Sequence, residues 1–161
     1  MALTDQQLND IRDEVYLGPI HNNIPVERND PFWTWFQENA EVFFVNPAYN
    51  IHETDENMHS GNCFGNSQSN SVRSHKDYAE GFVTAGYELI FHGFNINENN
   101  QVEDITVQNN LANFTDNYNN LPDEYYGIII PQEYLNENLP EDIGDNFFNK
   151  DALIFEYYNS L

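Results

Sequence analysis

An α+β fold is predicted for this chain, with N-terminal helices and one later helix packed on an antiparallel sheet. Three observations predict it. A capping signal and helical spacing mark the first residues, since Thr4 stands three before Gln7 and Leu8, Ile11 and Val15 fall on one face. Three runs of strand character follow one another at 77–84, 87–96 and 101–107, separated by turn residues. A Ser/Asn-rich helical stretch from Cys63 to about Val72 precedes them. The chain has 161 residues, enough for one domain with a real core, and neither a linker nor an internal repeat interrupts 1–161.

The elements are justified in order. The first helix is expected to end at Gly18-Pro19. Pro31 opens a second, 31–38, whose bulk comes from Phe32, Trp33, Trp35 and Phe36. Val42 to Val45 is an apolar run stopped by Pro47 and reads as a strand. From 46 to 61 the chain is polar and reads as a loop leading to the only cysteine. The helix from Cys63 is a poor intrinsic former and depends on packing, with Phe64, Ser67 and Ser71 on its buried face. Gly86 marks the first turn between the three strands and Asn97-Glu98-Asn99-Asn100 the second. Residues 109–123 read as a polar loop, 126–130 as a strand, and Pro131 as the start of a helix. The apolar, aromatic tail 152–158 is expected to pack.

The candidate chemistry lies in the middle of the chain. Gly61-Asn62-Cys63-Phe64-Gly65-Asn66-Ser67 has the form of a nucleophile helix start. His92 follows on a strand, and Asp104 twelve residues later on the next. A thiol at a helix start is favoured as thiolate by the helix dipole. A histidine can take its proton, and an acid can orient the imidazole. Taken singly, each residue is bland: a lone cysteine is ordinarily a small buried hydrophobe, a histidine among aromatics is ordinarily packed, and one Asp among so many acids says little. The ordered set changes that. Cys63 is expected as nucleophile, His92 as general base and acid, and Asp104 as the orienting carboxylate. The Cys63 N–H and the side chains of Asn62, Asn66 and Asn95 are expected to support an oxyanion or the site itself.

The run from Gly61 to about Leu135 resembles small bacterial and phage proteins of the papain-like/transglutaminase-like kind. Five landmarks carry the resemblance: Gly61/Cys63/Phe64/Asn66/Ser67, Tyr78-Ala79-Glu80-Gly81-Phe82, His92-Gly93-Phe94-Asn95, Val102/Asp104/Thr106, and Tyr125-Tyr126-Gly127-Ile128-Ile129-Ile130-Pro131 with Tyr134-Leu135. Gly93-Phe94 stands where the family has Ala-Trp, and Ile105-Thr106-Val107 where it has Pro and then Thr-Trp. The resemblance implies a helix against an antiparallel sheet and cysteine-dependent acyl transfer, as in an amidase, protease or transglutaminase, or a degenerate relative of one.

Composition limits the partners. There are 27 acids against 5 Lys+Arg, a net charge of −22, and beyond Asp77 the only Lys or Arg is Lys150. Such a surface repels phosphates and anionic membranes, so direct nucleic-acid or membrane binding is not expected, whereas a basic protein or peptide is a natural substrate or partner. The alternative function is an acidic phage-type inhibitor, a nucleic-acid mimic that covers a basic host surface. The 12 Phe, 10 Tyr and 2 Trp argue against disorder. One cysteine forms no intrachain disulfide, the N-terminus lacks the pattern of a signal peptide, and no apolar run approaches a membrane span. The expected location is cytoplasmic, in a bacterial or phage-infected host cell. His52, His59 and Cys63 lack the second cysteine of a zinc set, so no metal and no cofactor are expected.

Overall fold

The computed structural model describes residues 2–16, 25, 27, 29–49, 62–85, 88–109, 122, 124–140 and 151–161. Within them the chain is a mixed α/β protein. Helix α1, Asp5–Glu14, begins with the anticipated reciprocal cap: Gln7 N–H donates to Thr4 Oγ1 at 3.1 Å and Thr4 N–H to Gln7 Oε1 at 2.9 Å. Leu8 and Ile11 are buried on its inner face. Val15 belongs instead to a two-residue strand, β1, Val15–Tyr16, so the helix stops one turn earlier than its spacing suggests. Gly18 and Pro19 lie outside the described residues.

Helix α2, Pro31–Asn39, is capped by Asp30, whose side chain accepts from Phe32 N–H at 2.9 Å. It buries Phe32, Trp33 and Phe36, each contributing roughly 1.5–3 kcal/mol by leaving water. Strand β2 is Glu41–Val45. Helix α3 runs Cys63–Ser74 and strands β3 and β4 are Asp77–Ala85 and Glu88–Ile96. Their connection at 86–87 lies outside the described residues.

The predicted third strand is cut short. Strand β5 is only Gln101–Val102, and Ile105–Asn109 is a helical turn, α4. The β-branched Ile105-Thr106-Val107 favours a strand, but Asp104 takes the Val107 N–H on its side chain (3.2 Å) and the Gln108 N–H on its carbonyl (3.0 Å), and so starts a helix instead. Strand β6 is Glu124–Ile130, followed by α5, Gln132–Asn138, and α6, Ile154–Ser160.

The sheet is not wholly antiparallel. β3 pairs antiparallel with β4 and β6, and β6 with β2, but β2 pairs parallel with β5 and β1 parallel with β4. An Ile96↔Val102 pairing joins β5 back to β4. The order β4–β3–β6–β2–β5–β4 therefore closes into a five-stranded barrel. Gly81 opposite Gly127 makes the tightest approach in its wall. A Cβ on Gly81 would lie 1.8 Å from the Tyr126 carbonyl oxygen, so only glycine fits there.

Two cores follow from strand alternation. Phe43, Ala79, Val83, Phe94, Ile96 and Tyr125 fill the barrel. Tyr78, Phe82, Leu89 and Phe91 face outward under α1, α2, α3 and the C-terminal segment, where Leu153 and Ile154 are buried as expected of the tail. None of the described helices is long and apolar enough to cross a membrane.

Candidate active site

Cys63 is the first residue of α3, half-buried, and its neighbour Asn62 is the N-cap. The helix is buried on nearly all sides from Phe64 to Ser71 despite its polar sequence. Side-chain hydrogen bonds make that tolerable, each worth about 1 kcal/mol net. Ser67 Oγ donates to the Gly93 carbonyl (3.0 Å), Asn66 Nδ2 to Thr106 Oγ1 (3.1 Å) and Asn70 Nδ2 to Asn95 Oδ1 (3.0 Å). Gln68 Nε2 donates to Tyr78 Oη (3.2 Å) and to the Asp151 carbonyl (2.9 Å). His75, at φ 55° in the left-handed region, ends the helix.

Gly93 decides how closely α3 approaches β4. A Cβ there would lie 2.8 Å from Phe64 Cδ1 and 3.2 Å from Phe64 Cα. The glycine beside His92 therefore seats the residue beside Cys63.

His92 sits where the barrel wall is incomplete. Among the described residues, β4 pairs on its outer edge with β1 at Leu89 and Ile90 and with β5 at Ile96, but with no strand between. The start of α4 lies beside that seam and brings Asp104. His92 Nε2 meets Asp104 Oδ2 at 2.6 Å with both side chains buried. The ring nitrogen left for Cys63 is Nδ1, and the thiol lies within hydrogen-bonding reach of the ring. Burial alone would hold the imidazole neutral. The charge of Asp104 and the neighbouring Cys63 sulfur, with hydrogen bonds to both, outweigh burial and raise its pKa to about 10. Phe94 stacks beside the imidazole, with centroids 6.2 Å and planes 13° apart.

The predicted trio is thus brought together, although Asp104 acts from a helix cap rather than from the neighbouring strand. The three asparagines are placed differently from one another. Asn62, buried, offers its carbonyl to Asn66 N–H at 2.9 Å. Asn66 points to Thr106 at the start of α4, joining the element that carries Cys63 to the one that carries Asp104. Asn95 Nδ2 donates to the Ser67 and Asp77 carbonyls at 2.9 and 3.2 Å, clamping α3 to the sheet. His52 and His59 lie outside the described residues, as do 50–61 and 110–121. Among the described residues no group of three or more His, Cys, Asp or Glu is arranged to hold a metal ion.

Three further residues make contacts that the sequence does not assign. Tyr125 Oη donates to Asp104 Oδ2 at 2.8 Å from inside the barrel. Its signal was the Tyr125-Tyr126 pair opening a strand, since alternation must send one ring inward. Tyr49 is half-buried, its pKa raised to about 12 by burial and by the charges of Glu103 and Asp104. Glu80 is fully buried and accepts Leu153 N–H at 2.9 Å (Oε1) and 2.7 Å (Oε2), Ile154 N–H at 2.8 Å and Tyr78 Oη at 2.5 Å. It ties the C-terminal helix to β3, and burial raises its pKa to about 7 against the pull of those donors. Glu80 stands in the Tyr78-Ala79-Glu80-Gly81-Phe82 landmark, but nothing in the local sequence announces its contact with the C-terminal segment.

No family model, no curated protein and no solved structure gives a significant match to this chain.

Proposed function

We propose that the chain is a cysteine-dependent acyl-transfer enzyme of papain-like/transglutaminase-like type, with Cys63 as nucleophile, His92 as general base and acid and Asp104 as its orienting carboxylate. One observation carries the reading: a buried His92 holds Asp104 at 2.6 Å through Nε2 while its other face serves the thiol at the start of α3. His92 holds the proton taken from Cys63 as an imidazolium, and the thiolate sulfur attacks the carbonyl carbon of an amide or ester. The tetrahedral oxyanion is received by the Cys63 N–H at the helix start, where the dipole is favourable. His92 then gives the proton to the leaving amine or alcohol, and a thioester remains on Cys63. Water or an amine, deprotonated by His92, attacks that thioester and restores the thiol. The charge of −22 supports a basic protein or peptide as substrate or partner.

An activated ester tests this directly. Mixing the protein with p-nitrophenyl acetate should release a burst of p-nitrophenol close to one per chain, with an acetyl group on Cys63 by mass spectrometry. Cys63→Ala should abolish the burst and His92→Ala should slow it by at least tenfold, in keeping with general-base catalysis of roughly a hundredfold or more. Acetylation of the His92→Ala protein at the wild-type rate would reject the proposal.

A further inference from the structure

Asp104 receives more donors than orienting an imidazole requires. Val107 N–H occupies Oδ1 at 3.2 Å, while His92 Nε2 at 2.6 Å and Tyr125 Oη at 2.8 Å share Oδ2. The cap alone already fixes the carboxylate in space. Tyr125 adds a second donor on the oxygen that faces the histidine. It is itself held by an edge-to-face contact with Phe94, centroids 4.8 Å apart, and is 1% exposed.

The consequence concerns the proton on His92. When the ring is protonated, its charge balances Asp104. When the ring is neutral, Asp104 is left as a carboxylate in a nearly dry interior, and its remaining donors must carry that charge. A charge-assisted hydrogen bond from a phenol is among the stronger ones available. It stabilises the state with neutral imidazole more than the state with imidazolium, where the carboxylate already has a partner.

We propose that Tyr125 is a positioning residue of the Cys63–His92–Asp104 site, whose hydroxyl shares the charge of Asp104 and so allows His92 to release its proton during turnover. This rests on the acyl-transfer reading above and assigns it a residue that touches no substrate. Among the described residues, the other titratable groups near His92 and Asp104 are Cys63 from α3, Tyr49 after β2, whose ring is near Asp104 and Glu103, and Glu103 itself, which is paired with Lys76 at 2.7 Å. Tyr78, bonded to Glu80, lies near Cys63 on the outer side of β3. Tyr125 is the phenol that donates to Asp104 Oδ2, so its removal acts on that oxygen.

Tyr125→Phe keeps the ring and its packing and deletes the donor. In protein labelled at histidine Cε1, the His92 NMR titration midpoint should move upward by about one pH unit, the equivalent of one such bond. The alkaline limb of Cys63 alkylation by iodoacetamide should move with it. A role in packing alone would lower stability and leave the midpoint in place, and an unmoved midpoint overturns the proposal. If the variant does not fold, 3-fluorotyrosine incorporated throughout keeps every ring, strengthens the donor and should lower the midpoint; an unchanged midpoint there is equally fatal. The parent reading is separated by His92→Ala: wild-type alkylation in that variant sinks the acyl-transfer site itself, whereas slow alkylation with an unmoved Tyr125→Phe midpoint sinks only the role of Tyr125.

Discussion

Gly93→Ala is the smallest change that should separate Cys63 from His92 without touching either. The added Cβ would stand 2.8 Å from Phe64 Cδ1, 3.1 Å from Tyr78 Oη and 3.2 Å from Phe64 Cα. Carbon atoms prefer about 3.5–4.0 Å, so the ring contact is short by roughly 0.7 Å or more. Phe64 cannot simply swing aside, because it is 3% exposed and its ring lies 5.0 Å from that of Phe91. The helix start must move, against the 3.0 Å bond from Ser67 Oγ to the Gly93 carbonyl. Overpacking of this kind costs about 1–3 kcal/mol. A displacement of even part of an ångström at Cys63 should slow its alkylation by about tenfold, since site geometry is that sensitive. Urea unfolding gives the first number and iodoacetamide labelling followed by mass spectrometry the second. A Gly93→Ala protein with wild-type stability and wild-type labelling would refute the idea that this glycine seats the nucleophile helix.

The remaining predictions concern pH and charge. Glu80 has a folded-state pKa of about 7, above its ordinary 4.5 chiefly through burial, so its contribution to stability is full below pH 4.5 and is lost as pH rises through 7. Across that window the loss approaches about 3 kcal/mol, and urea midpoints measured from pH 4.5 to 7.5 should fall accordingly. Glu80→Gln should flatten that slope while weakening the fold at every pH, and an unflattened slope would remove Glu80 as its source. His92 acts in the same direction at higher pH: its raised pKa, about 10 against 6.5, gives stability that is present below pH 6.5 and declines toward pH 10, and His92→Ala should abolish the decline. The protein should not bind DNA or RNA at physiological salt, and any basic partner recovered from lysate should be released by added salt, because exposed charge pairs are screened. Salt-independent recovery of neutral or acidic partners alone would leave the −22 charge without a role in binding.

Much of the architecture was legible where the cause is local. Thr4 with Gln7, Pro31, and the Asn97–Asn100 turn each act within a few residues, and α1 and α2 begin, and β4 ends, where they predict. Barrel closure was not legible, because it rests on pairings between distant segments: Phe44 with Gln101 and Val42 with Tyr126. The same distinction runs through the site. Cys63, His92 and Asp104 stand out by residue type and order, and the hairpin of β4 and β5 brings the last two close. The position of Asp104 on a helix cap was not legible, since the β-branched Ile105-Thr106-Val107 has the character of a continuing strand. Tyr125 and Glu80 act across the barrel and across the chain, on Asp104 and on Leu153, and no local pattern encodes either contact.

The measurement that bears most directly on the site is the rate of Cys63 alkylation by iodoacetamide at pH 6.5, in the wild type and in His92→Ala. A free thiol is only about 1% thiolate at that pH, whereas a sulfur beside an imidazolium held by Asp104 should react about tenfold faster or more. That advantage is expected in the wild type, and its loss in a His92→Ala protein that still unfolds cooperatively in urea. Equal rates in the two folded proteins would contradict it.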